Sequence, residues 1–138
     1  PSKEALILTL LEPLIQRADA GFNDVASLPT APRLAFHAGI ATFFNAFAAE
    51  PALTRAGVEA MSSNTEVRAV WTQFMQKWID QTTALIITER ERGAAPNTLP
   101  ASDLATTLNQ MNERAMMAAM TACTMLSPVT RSAKVVGA

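Results

Sequence analysis

The chain has 138 residues, 49% hydrophobic and 17% charged, with a formal net charge of −1. This length supports one domain with its own core, burying about two-thirds of the surface that unfolding would expose. One His and one Cys exclude a disulfide framework and a Cys/His zinc site, and Lys+Arg 11 against Asp+Glu 12 argues against phosphate neutralisation by this chain.

No apolar run approaches the ~20 residues that span a bilayer, and no basic segment precedes a signal-peptide core. The single thiol fits a cytoplasmic location. The chain begins at Pro1 rather than Met, so it is read as a fragment, a processed product or an incomplete sequence.

The apolar period is helical throughout. Ile7, Leu10, Leu11, Leu14, Ala18, Phe22 and Val25 recur at three- and four-residue steps, one stripe of a helix that Ser2 caps. Pro13 lies inside it and predicts a kink or two abutting segments. Ser27 to Ala31 reads as a loop, and Pro32 suits the first turn of a second helix ending near Ala48. A short helix follows from Pro51 to about Ser62. Ser63 and Glu66 then read as a capping box that opens a long helix to about Arg92, with Gly93 as terminator. A fifth helix is expected over Ala101–Thr124, and Ser127-Pro128 signals a sixth. Nothing alternates with period two, so the fold class is all-α.

Catalysis finds little support. His37 stands on the shoulder of an apolar helix and Cys123 lies among alanines; neither belongs to a nucleophile motif, a P-loop or a dinucleotide fingerprint. Both read as structural residues, and Glu89-Arg90-Glu91-Arg92 reads as a solvated charge run. No enzyme, cofactor or metal is called for.

The aromatic residues are concentrated. Trp71, Met75, Trp78 and Thr82 share one face of the fourth helix, and Phe36, Ile40, Phe43 and Phe47 share one face of the second. Periodicity leaves two readings open: the stripes pack on each other as solid core, or rigid rings line an apolar cavity. On the fifth helix Asn109, Asn112 and Met116 align, with Ala105 and Met120 on the same face. A buried amide without a partner costs about 1–3 kcal/mol. These amides therefore meet water, another helix or a ligand. Ala115, Ala118, Ala119 and Ala122 form a thin ridge suited to close helix approach, in a core or a dimer.

Several stretches resemble the regulatory domain of TetR-family transcriptional repressors, in particular the ethionamide-activation (EthR-type) subgroup. They are Pro1-Ser2-Lys3-Glu4-Ala5 with Leu8-Thr9-Leu10-Leu11, Phe74-Met75-Gln76-Lys77-Trp78-Ile79, Arg92-Gly93-Ala94-Ala95-Pro96, Thr98-Leu99-Pro100-Ala101, Leu104-Ala105-Thr106 and Met111-Asn112-Glu113-Arg114. The resemblance implies an antiparallel bundle of about six helices around an apolar tunnel, spanning residues 1–138 as one effector-binding and dimerisation domain. It implies a helix-turn-helix head before Pro1, through which alone operator DNA would be bound. It also implies a final helix beginning near Pro128, cut short at Ala138, that would build a homodimer with the fifth. The partner is then a small apolar effector, with no membrane involved. The matching tunnel positions are Phe22, Phe36, Ile40, Phe43, Phe47, Trp71, Met75, Trp78, Gln81, Thr82, Asn109, Asn112, Glu113, Met116 and Met117. Asn109 and Asn112 would donate to an acceptor on the effector. Relative to the subgroup, Phe36 replaces a Trp, Gln81 a Tyr and Met117 a Phe. The competing reading is a helical dimerisation module with a solid core and no ligand.

Overall fold

The computed structural model describes residues 2–26 and 31–126. These form five helices: α1 Lys3–Ala26, α2 Pro32–Ala48, α3 Pro51–Ser63, α4 Thr65–Glu91 and α5 Ala101–Leu126. The loop expected at Ser27, the side chains of Val25 and Cys123, and the sixth helix expected from Pro128 lie outside the described residues.

Each helix begins and ends for a local reason. Ser2 Oγ accepts from the Ala5 amide at 3.2 Å, satisfying one free donor of the α1 start. Pro32 and Pro51 occupy first turns, where a missing N–H costs nothing. The expected capping box at Ser63 is not formed. Ser63 remains the last residue of α3, and Asn64 takes the extended conformation and accepts from the Glu66 and Val67 amides at 2.9 and 3.0 Å. One short amide side chain thus does the work assigned to two residues. At the far end of α4, Gly93 adopts φ +71°. Its amide donates to Arg90 O and that of Ala94 to Glu89 O, closing a Schellman motif that only a residue tolerant of positive φ allows at low cost.

Of the two forms allowed at Pro13, abutting segments are not found: α1 runs through it as one 24-residue helix. Nor is the charge run at the end of α4 simply solvated: Glu89 is buried and accepts from Arg92 Nη1 at 2.9 Å, while Arg90 Nε donates to Pro96 O at 3.0 Å. Those contacts tie the α4–α5 connection back onto the helix.

The helices pack as two groups. α1 lies closely against α2 and α3, and α4 against α5. Close approach of α1 and α2 needs small residues. A Cβ on Gly39 would lie 2.9 Å from the Phe22 ring, and one on Gly21 would lie 2.6 Å from Thr42 Cγ2. α4 and α5 are joined by polar clasps as well as apolar contact. Asn109 Nδ2 donates to Thr82 Oγ1 at 3.2 Å and to Ala105 O at 2.8 Å, and Trp71 Nε1 donates to Glu113 Oε1 at 2.5 Å. The backbones of α2 and α4 scarcely approach each other. Aromatic rings bridge that gap: Phe43 stacks on Phe74 with centroids 6.1 Å apart and meets Trp78 edge-on at 5.0 Å. Phe47 meets Trp71 edge-on at 5.4 Å. Ile7, Leu11, Leu14 and Ala18 of α1 complete the core, whereas Leu10, expected in the same stripe, is exposed.

Replacing Asn64 with Ala should cost about 1 kcal/mol, seen as a melting temperature lower by a few degrees, while Ser63→Ala should leave it nearly unchanged. Thr82→Val keeps the side-chain shape but strands one buried Asn109 donor, and should destabilise by about 1–3 kcal/mol in chemical denaturation.

Candidate functional site

Between the two helical groups lies a cavity of about 280 Å³. Its walls are Phe22 from α1, Ala35, Phe36 and Ile40 from α2, Trp78, Gln81, Thr82, Ala84 and Leu85 from α4, and Leu108, Asn109 and Asn112 from α5. The cavity exists because the same α2–α4 gap is filled differently along its length. Toward the C-terminal end of α2, Phe43 and Phe47 reach across to Trp71 and Phe74. Toward its N-terminal end, α2 offers Ala35, Phe36 and Ile40 to a stretch of α4 carrying Thr82, Ala84 and Leu85, and the gap stays open.

The sequence-predicted positions divide accordingly. Phe22, Phe36, Ile40, Trp78, Gln81, Thr82, Asn109 and Asn112 line the cavity. Phe43 and Met75 border a void of about 10 Å³ that shares Ile40, Trp78, Asn109 and Asn112 with it. Phe47, Trp71 and Met116 border a second void of about 10 Å³ on the far side of the aromatic layer. A space that small holds at most one water molecule. Glu113 and Met117 line none of the three; Glu113 holds the Trp71 indole and Met117 packs on the core. The continuous tunnel implied by resemblance is thus one chamber, closed at the Phe43–Trp78 contact. Both open readings of the aromatic stripes are realised, each in its own half.

The cavity walls are apolar with a few polar groups. Asn109 is buried, and its two amide hydrogens are taken by Thr82 and Ala105. Asn112 makes no hydrogen bond to any described residue. Gln81 Nε2 donates outward to Asn23 Oδ1 of α1 at 3.2 Å, while Gln81 Oε1 and Trp78 Nε1 are buried without partners. Trp78 also packs against Phe22 with ring centroids 4.2 Å apart. Immediately before Trp78, Lys77 bridges to Asp19 of α1. The α1 helix is therefore held to the cavity wall by a ring contact, an amide pair and an ion pair, all between residues 19–23 and 77–81.

Ala35, Ala84, Leu85 and Leu108 escaped the sequence reading as wall residues. Leu85 and Leu108 were not singled out, and the alanines gave no apolar signal. What they contribute is absence of bulk, and only the position of the facing helix reveals that.

His37 is exposed on α2. Among the described residues no cluster of His, Cys, Asp and Glu suits a metal ion, and no helix is long and apolar enough to cross a membrane.

Residues 36–137 match the family model described as transcriptional regulator EthR, C-terminal domain. The HTH-type transcriptional regulator EthR of Mycolicibacterium smegmatis is 59% identical over 121 residues, covering 87% of this chain and 56% of that protein. The regulator of the same name from Mycobacterium tuberculosis is 48% identical over 120 residues, covering 86% of this chain and 56% of that protein. The chain thus spans about half the length of these curated relatives, which are named as transcriptional regulators rather than enzymes. With an all-helical domain, an interhelical cavity and this match over most of its length, the chain belongs to the EthR C-terminal domain family of transcriptional regulators.

Proposed function

We propose that this chain is the ligand-sensing and dimerising core of a TetR-type repressor whose operator is bound by a separate N-terminal helix-turn-helix domain in the cytoplasm. The observation that carries this reading is the 280 Å³ chamber between α1–α2 and α4–α5, apolar but with unpaired polar atoms in its wall. Its volume is close to the lower end of the ~300–1,000 Å³ typical of small-molecule sites. The effector is a small, mainly apolar molecule seated among Phe22, Phe36, Ile40, Trp78 and Thr82. Asn112 donates to its acceptor atom; Asn109 holds the wall together and does not take part. Phe43 and Met75 lie at the floor; Phe47, Trp71, Met116, Glu113 and Met117 lie beyond it, and longer effectors would reach them only by parting the Phe43–Trp78 contact.

The mechanism is a population shift. An effector changes operator affinity only through a difference in its own affinity for two states of the protein. Here that difference arises at α1, because Phe22 and Asn23 of α1 touch the wall residues Trp78 and Gln81. Filling the chamber loads α1 at its C-terminal end and tilts it, and its N-terminal end carries the motion toward the DNA-binding head. The dimer uses the outer face of α5, where Met111, Ala115, Ala118 and Ala122 are exposed in helical register and thin enough for a partner helix to approach.

A phenylalkyl compound with a single carbonyl should raise the melting temperature by several degrees at saturation and quench tryptophan fluorescence. The quench should vanish in Trp78→Phe and persist in Trp71→Phe, because only Trp78 lines the chamber. Asn112→Leu should weaken this compound about fivefold, the worth of one ordinary hydrogen bond, and leave a purely hydrocarbon analogue unaffected. A well-folded protein that shows no stabilisation with a broad apolar library has a solid working core, and the dimerisation-module reading then takes over.

A further inference from the structure

Among the described residues, four buried side-chain polar atoms lack any hydrogen-bond partner: Asp19 Oδ1, Trp78 Nε1, Gln81 Oε1 and Arg90 Nη2. Asp19 and Arg90 each satisfy another of their atoms at the surface, through Lys77 and Pro96. The other two lie together. Trp78 and Gln81 stand three residues apart on α4, adjacent on one helix face, and both line the chamber. One orphan is a donor and the other an acceptor. Trp78 is 5% exposed, so solvent does not satisfy its indole N–H. Gln81 cannot turn its carbonyl oxygen outward without giving up the Nε2 bond to Asn23.

An unpaired buried polar atom is costly, and a site that carries one discriminates strongly in favour of ligands that pair it. An effector with an acceptor alone pairs Trp78 Nε1 and Asn112 but leaves Gln81 Oε1 facing apolar matter. Occupation of the chamber by such a molecule also removes any water that reaches Gln81, so the mismatch is felt most in the bound state.

We propose that the effector of this protein carries a secondary or primary carboxamide, whose carbonyl accepts from the Trp78 indole while its N–H donates to Gln81 Oε1. This rests on the ligand-binding reading of the chamber and adds to it the chemical class of ligand and a specificity-determining residue, Gln81. The remainder of the molecule is apolar, since the wall beyond this pair is Phe22, Phe36, Ile40 and Leu85. The same geometry links recognition to α1. The Gln81 amide is engaged on one side by the ligand and on the other by Asn23, so the carboxamide is bound at a point that also anchors α1.

The test is a matched series on one scaffold: a phenylpropyl–C(=O)–NH–butyl amide, the ketone in which a methylene replaces its N–H, and the alkylbenzene in which a methylene also replaces its carbonyl. Affinities are measured by calorimetry against the whole chain, with melting temperature as a second readout. The amide should bind about tenfold tighter than the ketone, although it is the harder of the two to desolvate. In Gln81→Met, which keeps side-chain length and helix preference, amide and ketone should come within about twofold of each other. In Trp78→Phe both should weaken by about fivefold, with the alkylbenzene unchanged. A ketone that binds the unaltered protein as tightly as the amide overturns the proposal and leaves the ligand-binding reading standing. An amide preference undiminished in Gln81→Met, or carbonyl affinities unchanged in Trp78→Phe, overturns the assignment of the corresponding partner. Absence of binding and stabilisation by all three compounds, with the unaltered protein folded, overturns the ligand-binding reading as well.

Discussion

The separation of α2 from α4 is the constraint on which the rest of the structure depends. α1 draws α2 close through Gly21 and Gly39, and α5 is clasped to α4 by the Thr82–Asn109 and Trp71–Glu113 bonds. With those partners fixed, α2 and α4 face each other across a space too wide for aliphatic contact. Only long, rigid side chains can span it. Phe43 does so at the centre, in ring contact with Phe47, Trp71, Phe74 and Trp78. Each such pair contributes about 0.5–1.5 kcal/mol beyond its buried area, and together they set the distance between the helices.

The chamber is a consequence of the same spacing. Where α2 presents Phe43 and Phe47 the gap is filled, and one turn earlier, where it presents Ile40, Phe36 and Ala35, it is not. Rigid rings hold the two helices apart like spacers, so the open part cannot collapse without unstacking the filled part. That is why an apolar space of about 280 Å³ persists beside a densely packed cluster. Trp78 stands at the boundary, one edge against Phe43 and the other near Phe22 of α1. The residue that closes the chamber floor is therefore also the one that touches α1.

Much of this was legible in the sequence, and the exceptions have physical causes. The helical period and the flanking Pro and Gly residues located all five helices, because those signals are local. The cap of α4 was misread because Ser63 and Asn64 are both good capping residues, and the choice depends on where α3 lets go of the chain. Pro13 allows a kink or two abutting segments, and packing of Leu11, Leu14 and Ala18 keeps α1 one helix through it. The site was half legible. Aromatic spacing identified the faces that meet, but whether rings fill a space or border it depends on the distance between helices, which no periodicity encodes. The resemblance supplied wall positions without saying that Asn109 spends both donors inside the protein, or that Phe47 and Trp71 lie beyond the closed floor. Gln81 stood out only as an exchange for Tyr; the pairing of its two amide ends is visible only with α1 in place.

The central claim is that ligand occupies the half of the interhelical space bordered by Trp78 and not the half filled by Trp71. Each of the two tryptophans has one indole N–H, unpartnered in Trp78 and bonded to Glu113 in Trp71. Proton–nitrogen correlation spectra of the labelled protein, recorded during titration with a phenylalkyl carbonyl compound, report on both groups at once. The account predicts a saturable shift of the Trp78 indole resonance while that of Trp71 stays in place. Movement of the Trp71 resonance alone, or of neither while the compound binds, would contradict it.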